Sequence, residues 1–171
     1  MRIRLVKIVL MVLAFIIAAN TINLIAQQKA PDTYFYSNNK KVYLKNFEGK
    51  RIMFWMFSTW CPSCIAGFNA LAEKQPELKK DSLTVIVLRN YKNGGYPGPT
   101  VTEFANKYDK KLLSESNWVF GEASEDIENK YNPKKYPDIY YLIDEKGDII
   151  KVDGAPGATL DEILSFAGNK K

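Results

Sequence analysis

The chain has 171 residues, with 24 Lys and Arg against 19 Asp and Glu and no His, a length that suits one domain with one core. Arg2, Arg4 and Lys7 account for three of the formal +5 charges, so the remainder is nearly neutral and makes no case for nucleic acid, which needs a clustered basic face. Two cysteines without a histidine also fall short of the four ligands of a structural zinc site.

From the N-terminus, Arg2, Arg4 and Lys7 precede an apolar run from Ile8 to Ala19, the pattern of an export signal with cleavage after Ala26. Leu24 stands where a small residue is preferred, so the alternative is an uncleaved membrane anchor. The expected organisation is a signal segment over 1–26 and one domain over 27–171. Export would place the chain where a disulfide persists. The pairs Lys40–Lys41, Lys79–Lys80 and Lys134–Lys135 read as solvated surface.

Strands are predicted at 41–44 and 51–57, a helix at 62–74 with Ile65, Phe68, Leu71 and Ala72 on one face, and a strand at 83–88. The Gly- and Pro-rich stretch Asn90 to Pro99 reads as a loop. Helices follow at 101–113 and 124–131, then strands at 138–143 and 148–152 joined by a tight turn at Asp144–Asp148, and a helix at 159–167. Thr100 with Glu103, and Thr159 with Glu162, each fit a capping box, and Gly168 suits the end of the last helix. Strands alternating with helices, then a hairpin, define an α/β domain with a central mixed β-sheet flanked by helices.

The two cysteines, Cys61 and Cys64, lie in "MFSTWCPSCIAGF", at the start of the helix that follows the long apolar strand. Only a dimer sharing two pairs could build a four-thiolate metal cage, and a c-type haem anchor would need His where Ile65 stands. A stabilising bridge would close a very small loop and so constrain the unfolded chain little. A redox pair accounts for the local design better. Cys61 takes the N-cap position, Pro62 fits the first turn, and the following amides face the sulfur and favour a thiolate. Cys61 is thus the expected nucleophile and Cys64, one turn inside, the resolving thiol.

The stretch "PDTYFYSNNKKVYLKNFEGKRIMFWMFSTWCPSC", followed by "YPDIYYLIDEKGDII", resembles thioredoxin-like envelope proteins of the TlpA/ResA type, from about Pro31 to Ala167. The resemblance rests on Trp-Cys-Pro-x-Cys, on Pro137, and on Leu-Ile-Asp-x-x-Gly from Leu142 to Gly147. It implies a thioredoxin-like fold with a helix and short strand, roughly 100–120, inserted before a cis Pro137. It also implies a Cys61–Cys64 disulfide in the oxidised protein. The substrate groove it implies comprises Trp60, Pro62, Ser63, Tyr136 and Pro137, with the backbone of Tyr136 facing the disulfide. No cofactor is implied, and the partners would be disulfide-bonded or dithiol envelope proteins and an upstream thiol–disulfide donor or acceptor.

The chain departs from that pattern at Trp55, where thioredoxin has a buried aspartate, at Val87 in place of a buried lysine, and at Gly67 and Asn69 after the second cysteine. Water, the Cys64 thiol or an unplaced carboxylate would then move the proton. Trp55, Phe57 and Phe68 read as core. The expected function is an envelope thiol–disulfide oxidoreductase exchanging disulfides with exported proteins; the alternative is a catalytically weak thioredoxin-like binding module with a structural disulfide. Copper delivery is set aside for want of a histidine.

Overall fold

The computed structural model describes residues 28–169, so the expected signal segment lies outside the described residues. Seven strands form one mixed sheet in the order β2-β1-β5-β4-β3-β6-β7. They span β1 (Tyr34–Ser37), β2 (Lys40–Tyr43), β3 (Ile52–Phe57), β4 (Thr84–Arg89), β5 (Trp118–Ala123), β6 (Asp138–Ile143) and β7 (Ile149–Asp153). The helices are α1 (Pro62–Glu73), α2 (Gln75–Lys80), α3 (Val101–Asp109), α4 (Glu125–Tyr131) and α5 (Leu160–Gly168).

β3 takes an interior place, between β4 and β6, because its sequence, Ile-Met-Phe-Trp-Met-Phe, offers no polar face, and all six residues are buried. It pairs parallel with β4 and antiparallel with β6. Strand alternation sends Met53, Trp55 and Phe57 into one core with α1, α3 and α5, where Phe68, Leu71, Phe104 and Ile163 meet them. Ile52, Phe54 and Met56 face the other core with Phe35, Ile127 and Tyr131. Each fully buried Phe, Leu or Ile contributes about 1.5–3 kcal/mol of transfer free energy, which is why the sheet is covered on both faces.

The inserted helix and strand are α3 and β5. α3 ends at Asp109 and tightens into a 3₁₀ turn over Lys110–Ser114, where one helix to 113 was expected. Two elements were not expected. β1 pairs with β2 through Asn38 and Asn39, both at positive φ, the conformation a two-residue hairpin turn demands. α2 starts a second short helix after Lys74 breaks α1.

The Thr100 capping box is present, with the hydroxyl accepting from the Glu103 amide and the Glu103 carboxylate accepting from the Thr100 amide. The expected box at Thr159 is not formed: its hydroxyl accepts from Tyr140 Oη at 2.8 Å, and Glu162 pairs with Lys151. Tyr140 is fully buried, so its hydroxyl takes the Thr159 oxygen as its partner. Gly67 is explained by packing, because a Cβ there would lie 3.1 Å from Pro156 Cδ.

Candidate active site

β3 delivers the chain to Ser58, whose amide donates to the Pro137 carbonyl at 2.8 Å and extends the β3–β6 pairing to the site. Thr59 and Trp60 turn the chain, and Cys61 becomes the N-cap of α1 with Pro62 at the first helical position. Cys61 is 4 % exposed and Cys64 fully buried, between exposed Trp60, Pro62 and Ser63. The two sulfurs are free thiols, so the disulfide expected at this pair is not formed in this structure. The expected contact of sulfur with helix amides is also corrected: Cys61 makes no side-chain capping bond, and its sulfur instead lies 3.0 Å from Ser63 Oγ. A short hydroxyl two residues on competes better than amides that point along the helix axis.

A carboxylate that was not singled out from the sequence, Asp138, lies beside the pair. Its Oδ1 accepts from the Trp55 indole N–H at 2.8 Å and its Oδ2 from Ser63 Oγ at 3.1 Å. One of its oxygens and the two sulfurs all lie within 4.8 Å of one another. The signal was available in the strand pattern: Asp138 pairs with Phe57 and shares the face of Tyr140 and Leu142, toward α1. Trp55 thus stands at the position of the thioredoxin aspartate and orients a carboxylate supplied by the neighbouring strand.

Pro137 was expected to be cis, and no cis peptide bond occurs among the described residues. The Tyr136 carbonyl turns inward, where it accepts from Asn90 Nδ2 at 3.1 Å and Asn132 Nδ2 at 2.8 Å; Asn132 Oδ1 accepts from the Tyr136 amide at 2.8 Å. Asn132 is fully buried, so its amide group satisfies both backbone groups of Tyr136, and trans is the intrinsically favoured isomer by about 0.5–1 kcal/mol. The Pro137 carbonyl accepts from the Cys64 thiol at 3.3 Å. Tyr136 stays exposed on the rim.

The loop after Asn90 buttresses the other side. Asn93, at φ 55° and buried, accepts from the Thr59 amide at 2.9 Å, and its carbonyl accepts from the Trp60 indole N–H at 2.9 Å. Trp60 packs edge-on against Tyr96, with ring centres 5.0 Å apart. The two rings and Tyr136 form an exposed aromatic rim around Cys61.

Burial pushes the Cys64 thiol far above the ordinary thiol range, and the Asp138 charge adds to the effect. Cys61, Cys64 and Asp138 offer three donors to a metal, and among the described residues no fourth His, Cys, Asp or Glu is grouped with them. The group fits thiol chemistry better than a tetrahedral ion.

A two-cysteine motif at the helix following an interior strand, beside a proline just before the neighbouring strand, defines a thioredoxin-like thiol–disulfide oxidoreductase. The redoxin family profile matches residues 25–163, and the chain belongs to that family. It is 29% identical over 125 residues to a thioredoxin-like protein, YneN, of Bacillus subtilis, covering 71% of this chain and 67% of that one. Among solved structures, a thiol:disulfide interchange protein of Chlorobium tepidum superposes with a TM-score of 0.64 at 17% identity, over 84% of this chain and 97% of the other. A secreted Mycobacterium tuberculosis disulfide oxidoreductase, homologous to E. coli DsbE, gives 0.59 at 16% identity, over 81% and 96%. The fold and oxidoreductase class expected from the sequence hold.

Proposed function

We propose that the protein exchanges disulfides with exported proteins in the cell envelope, with Cys61 as nucleophile and Cys64 as resolving thiol. The observation that carries this reading is the asymmetry of the pair. Cys61 lies at the head of α1 among exposed Trp60, Pro62 and Ser63, whereas Cys64 is fully enclosed. A partner disulfide docking on these exposed neighbours would meet the first sulfur before the second. Attack by Cys61 forms a mixed disulfide and frees one partner thiol; Cys64 then attacks the Cys61 sulfur, releases the second, and leaves Cys61–Cys64 oxidised.

Envelope placement is supported by the basic and apolar pattern of residues 1–26 and by structural likeness to a protein described as secreted. The aromatic rim of Trp60, Tyr96 and Tyr136 supplies apolar area for docking polypeptide. Among the described residues no helix is long and apolar enough to cross a membrane.

Trapping tests the reading. Cys64→Ala, recovered from an envelope fraction and run on a non-reducing gel, should carry exported proteins covalently on Cys61, and Cys61→Ala should carry few. Mass spectrometry of the same material should find a chain beginning at Gln27. Adduct-free Cys64→Ala, or a pair with a reduction potential below about −300 mV, the range of structural bridges, would overturn it.

A further inference from the structure

The resolving step has a proton problem. Cys64 is fully buried, its thiol donates to the Pro137 carbonyl, and burial opposes its ionisation. A carbonyl cannot take the proton away, because it offers lone pairs but no basic site near neutral pH. Among the described residues one carboxylate near the sulfur can. The chain has no histidine, β4 presents Val87 to this core, and Asp138 brings a carboxylate oxygen within 4.8 Å of both sulfurs.

Resting on the Cys61 and Cys64 roles above, we propose that Asp138 is the general base for Cys64 in the resolving step and the acid that returns the proton in reverse. Three features of the geometry support it. The Trp55 indole and the Ser63 hydroxyl donate to different oxygens of the carboxylate and fix its orientation, and each oxygen keeps a lone pair free. Ser63 spends its one hydrogen on Asp138, so its own oxygen accepts from the Cys61 thiol 3.0 Å away; when Cys61 becomes part of the mixed disulfide that contact is lost and the carboxylate is left facing Cys64. Asp138 also directly follows the residue whose carbonyl accepts from the Cys64 thiol, and one of its oxygens lies within 4.8 Å of that sulfur, a span that one bridging water can close.

The step balances as follows. With a partner held on Cys61, the Cys64 proton passes to an Asp138 oxygen, directly or through one water. The Cys64 sulfur forms a bond to the Cys61 sulfur, and the bond from Cys61 to the partner breaks. The partner leaves as a thiolate and takes the proton back from Asp138. The protein dithiol is oxidised by two electrons and the partner disulfide is reduced by the same two.

The two thiols can be timed apart with the symmetrical nitrobenzoate disulfide, whose released thiolate is yellow. Reduced protein mixed with one equivalent should release colour twice, first on attack by Cys61 and then on attack by Cys64. Asp138→Asn keeps shape and acceptor but no base. It should slow the second release about 10- to 100-fold at pH 7, with the first changed far less, and the second release should become steeply faster with rising pH. Asp138→Glu should restore most of the rate and the flatter wild-type profile. A second release in Asp138→Asn with wild-type rate and pH profile would overturn the proposal, as would equal slowing of both releases without a change in profile. Should Asp138→Asn fail to fold, a second-phase rate in Asp138→Glu that follows pH as steeply as uncatalysed exchange would do the same. Failure of the Cys61 and Cys64 roles shows separately, as two releases from Cys64→Ala or only one from wild type.

Discussion

Glu128 is a carboxylate buried to 5 % exposure on α4, and the amide of Tyr91 is its hydrogen-bond donor, at 3.3 Å. Desolvation raises its pKa, opposed by that amide and by the charge of Lys135. Because the folded pKa is the higher one, the folded chain binds the proton more tightly. This term costs nothing below the unfolded glutamate value of about 4.3 and destabilises the fold as pH rises through the native value. Four surface carboxylates work the other way. Glu103 is lowered by the Thr100 amide, Glu115 by Lys79, Asp126 by the Thr33 hydroxyl and Asp153 by the Gly154 amide; their contribution is present above the unfolded values and lost as pH falls. Glu128→Gln keeps the acceptor for Tyr91 and removes the charge. Urea unfolding should find it more stable than wild type at pH 7.5 and indistinguishable near pH 4. A variant less stable at pH 7.5 would mean that the charge holds the Tyr91 loop, and with it Asn93, in place.

At the scale of elements, α3 depends on its cap. The reciprocal bonds of Thr100 and Glu103 occupy amides that the helix leaves without partners, and α3 then sets Phe104 against Phe57 and Phe68, with ring centres 4.8 and 5.2 Å apart. Thr100→Ala should cost about 1 kcal/mol, read as a lower urea midpoint, and should leave the alkylation rate of Cys61 unchanged. Elements like this one were legible because cap, apolar period and Gly or Pro punctuation agreed, and β3, β6, α1 and the address of the cysteines followed from the same signals. β1 was not, since four residues on the sheet's flank carry little periodicity and its Asn38–Asn39 turn went unread. At the site, the cysteines could be anticipated from motif and resemblance, and Trp60 and Tyr136, expected as groove residues, are exposed. Asp138 could not be reached from a position-by-position comparison, because it stands on the strand beside Trp55 rather than at the position of Trp55 itself. The asparagine clasp on Tyr136 joins residues from the β4 end, the α4 end and the β6 start, a convergence that only the fold creates.

The whole molecule is tied together near its described N-terminus. The Ala30 amide donates to the Gly147 carbonyl, the Ile149 amide to the Gln28 carbonyl, and Lys29 pairs with Asp148 at 2.8 Å, so residues 28–30 lie along the β6–β7 hairpin. The Pro31 carbonyl accepts from the hydroxyl of Tyr131 at 2.7 Å, and Tyr131 is 1 % exposed in the second core. A chain that begins at Gln28 keeps all four contacts and should melt as the full-length protein does. A chain that begins at Asp32 loses them together. Two backbone hydrogen bonds are worth about 1 kcal/mol each, and a buried hydroxyl left without its acceptor costs a further ~1–3 kcal/mol; the exposed Lys29 pair adds little. The sum, about 3–5 kcal/mol, is a large part of the total stability of about 5–15 kcal/mol typical of a folded domain. At about 2–4 °C per kcal/mol for a chain of this size, the shorter protein should melt roughly 10 °C lower in a calorimetric scan. Tyr131→Phe in the chain beginning at Asp32 removes the stranded hydroxyl and should recover part of that loss; no recovery would place the deficit in the hairpin contacts alone.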